Sequence, residues 1–436
     1  MCSSTKKVNN HFNQKRMSSQ GELIAGLDIG STKIRMAVGQ LSYAQHQSEP
    51  TLNIIGAFEV PAQGINKGVI TSIEDAVVSI TKCLENIERT VGHSIEQAWV
   101  GISGSHIICQ ESKGVVAVSR HDGEIDEGDV ERAVEAARTV ATPSNYEILH
   151  VIPRSFTIDG QANIKDPVGM TGIRLEVDSL IIQGLSSQIK NLTKCVYRTG
   201  LDIEDLVLSI LAASQSVLNS RQKDLGVVMI DIGGTTTSMI VIEEGDVVHT
   251  AVLPIGSDHI TSDIAIGLRI SIDAAEKIKL KYGTALSKQV DKQEVIQYKE
   301  IDISEDGEVP KKYVAEIIEA RVEEIFKKID TELERVNRSG MLPAGAVFVG
   351  GGSKLPGIID LAKRRLRLPA MLGRAQNVLS AVDKTQDLSY MTSIGLIVWG
   401  EQMLRQKRSG KFSISRFKSV VDVTDKMRKW FKSLIP

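Results

Sequence analysis

The chain has 436 residues, 42% of them hydrophobic and 24% charged, with a formal net charge of −2. That length and balance suit a folded protein with several cores, and the near-neutral charge leaves no overall field to recruit nucleic acid. Cys2, Cys83, Cys109 and Cys195 form no C-x-x-C pair and the eight histidines lack ligand spacing, so neither a zinc site nor redox chemistry is indicated, and the thiols read as small core residues in a reducing compartment.

In chain order, residues 1–20 are polar, without the apolar core of a signal peptide, and read as a disordered tail. No run of about 18 apolar residues exists to span a bilayer. Leu23 to Ile29 reads as a buried strand, Gly30-Ser31-Thr32 as a tight turn, and Ile34, Met36 and Val38 as an alternating second strand. Ile73, Val77, Ile80, Leu84 and Ile87 then repeat at helical spacing, as do Leu206, Ile210, Leu211, Val217 and Leu218. Between these lies a segment of different character, 94–170, with an acidic turn from Asp122 and a helix expected over Val130 to Val140; it reads as an inserted small α/β domain. The strand–turn–strand pattern returns at Val227 to Ile232, Gly233-Gly234-Thr235-Thr236 and the apolar run to Val241. A subdomain over 258–337 ends in a charged helix, Tyr313 to Val336. Ala346 to Val349 forms a strand into Gly350-Gly351-Gly352-Ser353, and a helix follows over Pro356 to Leu366. Strands alternating with helices define an α/β chain of two similar halves.

The repeated turns carry a chemistry. A backbone that wraps phosphate needs glycine for close approach, small hydroxyls to donate, and successive N–H groups that form an anion nest. Gly30, Ser31, Thr32, Gly233, Gly234, Thr235 and Thr236 supply these. Asp28 and Asp231, each at a strand end, are suited to hold Mg²⁺ through water, which that ion is slow to shed. The chain has no G-x-x-x-x-G-K-[ST] motif, which excludes a P-loop.

Two matched D-x-G-x-T turns and a third glycine turn resemble the actin superfamily, with its sugar kinases and heat-shock chaperones. The resemblance implies an actin-like two-lobed ATPase fold binding ATP and Mg²⁺. The first two motifs, with Lys33, would embrace the phosphates; Gly350, Gly351, Gly352, Ser353 and Lys354 would lie toward the adenosine. Ala275 to Lys279 looks like the adenosine motif, so Glu276 and Lys279 would meet ribose and base. Ser214 to Leu218 is similar to the helix whose glutamine positions water, which would make Gln215 catalytic.

Gly101 to Ile107, His150-Val151-Ile152-Pro153, Asp166 to Met170 and Thr261 to Ala265 resemble the FtsA family of bacterial division proteins. The family pattern implies core subdomains at 21–93 with 171–224 and at 225–257 with 338–405, an insert at 94–170, and a small subdomain at 258–337. It also implies head-to-tail polymers, weak hydrolysis at most, recruitment of other division proteins, and capture of the FtsZ tail peptide. Glu316 to Arg321 resembles the receiving segment, with Arg321 the basic contact. A sugar kinase or a pilus-assembly relative of the same superfamily remains the alternative. Against the pattern, the second turn lacks a triple glycine.

Residues 406–423 are polar and basic and read as a flexible linker. After it, Met427, Trp430, Phe431, Leu434 and Ile435 form one apolar helical stripe flanked by Lys426, Arg428, Lys429 and Lys432, with Thr424 as cap and Asp425 in the first turn. Each large side chain contributes about 1 kcal/mol when partly buried in an interface, and each cation beside anionic lipid adds about 1 kcal/mol. Their sum folds a helix too short to stand alone in water. The expected setting is the cytoplasmic face of the cell membrane at the division site, with many tails on one polymer binding through avidity.

Overall fold

A computed structural model describes residues 22–42, 51–139, 142–301, 307–376, 378–380, 382–409 and 418–419. Strands β1 (Glu22–Ile29) and β2 (Lys33–Ser42) make the first hairpin, and β3 (Thr51–Pro61) adds antiparallel to β2. A two-residue ladder, β4 (Ile65–Asn66) with β5 (Val69–Ile70), leads to helix α1 (Ile73–Val91). That helix follows the sequence periodicity: Ile80, Cys83, Leu84 and Ile87 are buried, the Ser72 hydroxyl accepts from the Asp75 amide, and Gly92 closes it at φ 73°. Strand β6 (Gln97–Ile102) then runs parallel to β1.

The insert follows. It comprises β7 (Ile107–Ala117), α2 (Glu127–Thr139), β8 (Tyr146–Ile158), β9 (Gln161–Ile164) and β10 (Arg174–Leu185), with β10 antiparallel between β7 and β8. Helix α2 begins three residues before the expected Val130. Asp126 and Asp129 cap each other's backbone, the Asp129 amide donating to Asp126 Oδ1 at 2.9 Å and the Asp126 amide to Asp129 Oδ2 at 3.1 Å. Its carbonyls lie on Gly114, where a Cβ would stand 1.9 Å from Ala133 O. The expected boundaries 94 and 170 do not follow the sheets: β6 belongs to the first-lobe sheet and β10 to the insert. Ladder pairing decides membership, and pairing across distant positions leaves no compositional mark.

Next come α3 (Ser186–Tyr197), β11 (Asp202–Leu208), α4 (Ser209–Val217) and the short α5 (Ser220–Leu225). Leu206 to Leu218 is therefore not one helix: Leu206 pairs with Val100 of β6, and the helix starts at Ser209. An unbroken apolar run fits a buried strand and a buried helix equally.

The second lobe repeats the first. Strands β12 (Val227–Ile232), β13 (Thr237–Glu243) and β14 (Asp246–Leu253) form an antiparallel meander. A subdomain of α6 (Ser257–Leu268), α7 (Ile272–Tyr282), β15 (Val295–Gln297), β16 (Glu308–Pro310) and α8 (Lys311–Arg335) intervenes. Strand β17 (Ala346–Val349), α9 (Ile358–Leu366) and β18 (Ala370–Leu372) complete the lobe, β17 parallel to both β12 and β18. The order β14-β13-β12-β17-β18 has the directions of β3-β2-β1-β6-β11.

The chain then returns to the first lobe. Strand β19 (Leu379–Ser380) pairs with β3, and α10 (Met391–Ser409) packs on β1, β2, β6 and α4. The expected assignment of 338–405 wholly to the second lobe is thus corrected: Ile394, Leu396, Ile397 and Trp399 bury in the core shared with α4. Helices α4 and α10 form a layer between the sheets, so close that a Cβ on Gly395 would lie 2.3 Å from Ala212 O. Within the expected linker, α10 continues to Ser409, and β20 (Lys418–Ser419) pairs with His150 and Val151 of β8. The N-terminal tail and the amphipathic segment 424–436 lie outside the described residues. No helix among the described residues is long and apolar enough to cross a membrane.

Candidate functional site

The duplicated hairpins set their turns against each other across a cleft of about 440 Å³, within the usual range of small-molecule sites. Register fixes the chemistry at its floor. Asp28 stands opposite Arg35 in the first ladder, and Asp231 opposite Ser238 in the second. The third turn closes the floor from β17. Gly350 has φ 87°, and a Cβ there would lie 2.1 Å from Asp231 Oδ1 and 2.5 Å from Ile232 O, so the position requires glycine on both counts.

Every expected phosphate- and adenosine-contacting residue lines this cleft except Ser353. Ser353 is buried and donates to Val349 O at 2.5 Å, which fastens the third turn to its own strand. The expectation that Ser353 contacts the ligand is therefore corrected.

The charges are unevenly placed. Lys33 and Arg35 both hydrogen-bond Glu59, Arg35 Nε at 3.0 Å. Burial alone would raise the Glu59 carboxyl, but the Lys33 hydrogen bond and the Arg35 charge outweigh it and hold it below its ordinary value. Burial pushes Asp28 up to about 7, with the Asp231 charge adding to the effect and Arg35 opposing it. Burial likewise raises Asp231 to about 6, against Arg35 and a 3.5 Å hydrogen bond from Thr392. Two carboxylates are thus held close to one another in a poorly solvated floor with one shared cation, an arrangement that a bound divalent ion would relieve. Among the described residues no cluster of three His, Cys, Asp or Glu side chains forms a metal cage, so any Mg²⁺ here would keep water and ligand oxygens around it.

Also on the lining, Glu276 Oε2 accepts from Thr261 Oγ1 at 2.5 Å and pairs with buried Lys279 at 2.6 Å. Leu280, 75% exposed, lines the same cleft, as do Leu355 and Pro356. A charged pair beside an apolar slot fits a ribose and a flat base. Lys354 meets Asp387 at 2.6 Å.

Hydrogen bonds also cross the cleft. The Lys67 amide donates to Thr235 Oγ1 at 3.1 Å, Ser103 and Ser238 hydroxyls meet at 3.1 Å, and Thr32 Oγ1 donates to Asp258 Oδ2 at 3.1 Å. On the first lobe, the Gly68 amide donates to Ser31 Oγ at 2.9 Å.

Gln215 is not in the cleft. It sits toward the far end of α4, accepting from Lys223 Nζ at 3.0 Å, while Ser209 at the start of that helix lines the site. The expected water-positioning role is corrected, because the helix presents its other end. Among the described residues no histidine, asparagine or glutamine side chain lines the cleft. Arg321, expected as the basic contact for a tail peptide, is committed within the chain: it pairs with Asp263 of α6 at 2.5 and 2.8 Å and with Glu324 at 2.5 Å. It clamps α6 to α8. Arg35, Glu59, Asp258 and Asp387 line the site unforeseen. Arg35 was findable, since folding the first turn puts it across from Asp28; Asp387 had no local signal.

A family model described as Cell division protein FtsA matches residues 228–395, and one described as the SHS2 domain inserted in FtsA matches 104–183. The Cell division protein FtsA of Pseudomonas aeruginosa is 35% identical over 413 residues, 94% of this chain and 97% of that protein. A solved PilM–PilN type IV pilus biogenesis complex superposes with a TM-score of 0.62 at 15% identity, over 87% of this chain and 98% of that one. MreB5 of Spiroplasma citri bound to AMPPNP gives 0.53 at 14% identity, over 89% and 99%. These structures share the actin-like fold.

Proposed function

The chain belongs to the FtsA family of cell division proteins, and we propose that it is a nucleotide-dependent membrane tether for the division ring. The observation that carries this reading is the pair of glycine–hydroxyl turns facing one cleft over two raised carboxylates. Ser31, Thr32, Thr235 and Thr236 would donate to the phosphates of ATP, and Asp28 and Asp231 would hold Mg²⁺ through water; the bound ion supplies charge neutralisation for the triphosphate. Glu276 and Lys279 would meet the ribose, with Leu280 and Pro356 against the base. The nucleotide serves chiefly as a structural ligand, with hydrolysis weak at most.

Bound nucleotide would set the lobe angle at which copies stack head to tail. The stripe from Met427 to Ile435 and its cations would then lie on anionic lipid at the cytoplasmic face, and the 258–337 subdomain would receive the FtsZ tail while further division proteins gather. In that subdomain Arg321 would act by holding α6 on α8 rather than as a bare charge.

Co-sedimentation of the full chain with vesicles containing phosphatidylglycerol, with and without MgATP, tests the reading. Sedimentation should rise with MgATP, and deletion of Thr424 to Pro436 should abolish it while ATP binding persists. A full chain that ignores both vesicles and ATP would refute the proposal.

A further inference from the structure

Three hydroxyls of the facing turns differ in what their protons do. Ser31 Oγ and Thr235 Oγ1 each accept a backbone N–H, from Gly68 at 2.9 Å and Lys67 at 3.1 Å. Their own O–H protons stay free to donate into the cleft. Thr32 is the opposite case, its proton given to Asp258 Oδ2 at 3.1 Å. Asp258 comes from the other lobe, at the start of α6, and is held over the second turn by its own amide, which donates to Gly234 O at 2.8 Å. The crowding is tight: a Cβ on Gly234 would lie 1.9 Å from Thr32 Oγ1 and 2.8 Å from Asp258 Oδ2. Asp258 forms no ion pair with a basic side chain among the described residues.

An anionic oxygen therefore already occupies the donor that an incoming phosphate would use, at the point where both turns meet. We propose that Asp258 is a built-in competitor for the terminal phosphate: its carboxylate latches the lobes through Thr32 and must swing away when a triphosphate enters. This rests on the reading of the cleft as a nucleotide site. Like charges and a shared donor make the two states exclusive. A diphosphate, which leaves the meeting point of the turns unfilled, would coexist with the latch. Asp258 is thus a specificity-determining residue that weakens ATP relative to ADP and ties cleft opening to the third phosphate.

The test is isothermal titration calorimetry of the full chain with ATP and with ADP, in Mg²⁺ and in EDTA, together with thermal melts of the ligand-free proteins. Asp258→Ala should bind ATP about fivefold to tenfold more tightly, the worth of one competing charged hydrogen bond, and ADP less than twofold more tightly. Asp258→Asn keeps an acceptor without the charge and should fall between, and it carries the test should the alanine variant fold poorly. Equal or weaker ATP binding by folded variants overturns the latch. Weakening confined to Mg²⁺ overturns it in another way, by making Asp258 a metal ligand. Failure of the wild-type chain to bind either nucleotide would instead remove the nucleotide reading beneath it.

Discussion

The two hairpins share strand order, direction and turn chemistry, yet they bring different things to the cleft. The first carries charge: Lys33, Arg35 and Glu59 stand together beside Asp28. The second carries almost none. Ser238 occupies the register position of Arg35, and Thr237 is spent on Ile255 O at 2.8 Å. One backbone motif has thus been divided into a hairpin that supplies cationic field and a hairpin that supplies bare glycine and amides. The division explains why Arg35, the cation that opposes both raised aspartates, acts on Asp231 from the opposite lobe.

The sharpest way to break this picture is Gly350→Ala. The second lobe relies on backbone approach, so a methyl 2.1 Å from the Asp231 carboxylate, at φ 87°, should weaken ATP binding a hundredfold or more, about 2.7 kcal/mol. Retained affinity by calorimetry would show that close approach is not what this lobe provides. Arg35→Met should cost about tenfold in MgATP affinity, since the field that opposes both raised aspartates would be gone, whereas Ser238→Ala should cost less than twofold. Equal losses for the two would erase the asymmetry.

A smaller effect concerns the insert, which enters after β6 and has no counterpart after β17. His150 seats it on the first lobe, its Nε2 accepting from the Leu208 amide at 3.0 Å and its ring edge-on to Trp399. Burial drives its pKa down to about 3. The unfolded chain protonates near 6.5 and the folded chain does not, so the stability this neutral ring preserves is complete above pH 6.5 and drains as pH falls toward 3. Between pH 6.5 and 5.5 the loss should be about 1 kcal/mol in urea melts, and His150→Gln should flatten that slope. An unchanged slope would mean the insert is not seated through this ring.

The cleft was largely readable from sequence because its parts are local. A glycine turn between two apolar runs predicts a hairpin, and α1 announces itself by spacing and by Ser72 and Gly92 at its ends. What escaped was settled by contacts between distant segments. Trp399 gives no hint that α10 crosses back to the first lobe, nor β10 that it pairs with β7 rather than with the core. Arg321 looks like a free cation until Asp263, 58 positions away, is brought against it. The Gln215 assignment failed for a related reason: a helix can be recognised without knowing which end faces the ligand.

The layer of α4 and α10 has a mechanical meaning. Glycine contacts bring their backbones together at Gly395 and press α10 onto β1 at Gly26, where a Cβ would stand 2.3 Å from Ser393 O. Surfaces meshed at main-chain distance resist sliding, so α10, α4 and β1 move as one block, and any tilt of the second lobe is taken up where α4 meets β12 and β13. A tilt of a few degrees moves atoms little near its axis and most at the rims, where the insert and the α6–α8 subdomain stand. An event at the phosphate end would therefore be read out as leverage by the parts of the molecule farthest from it.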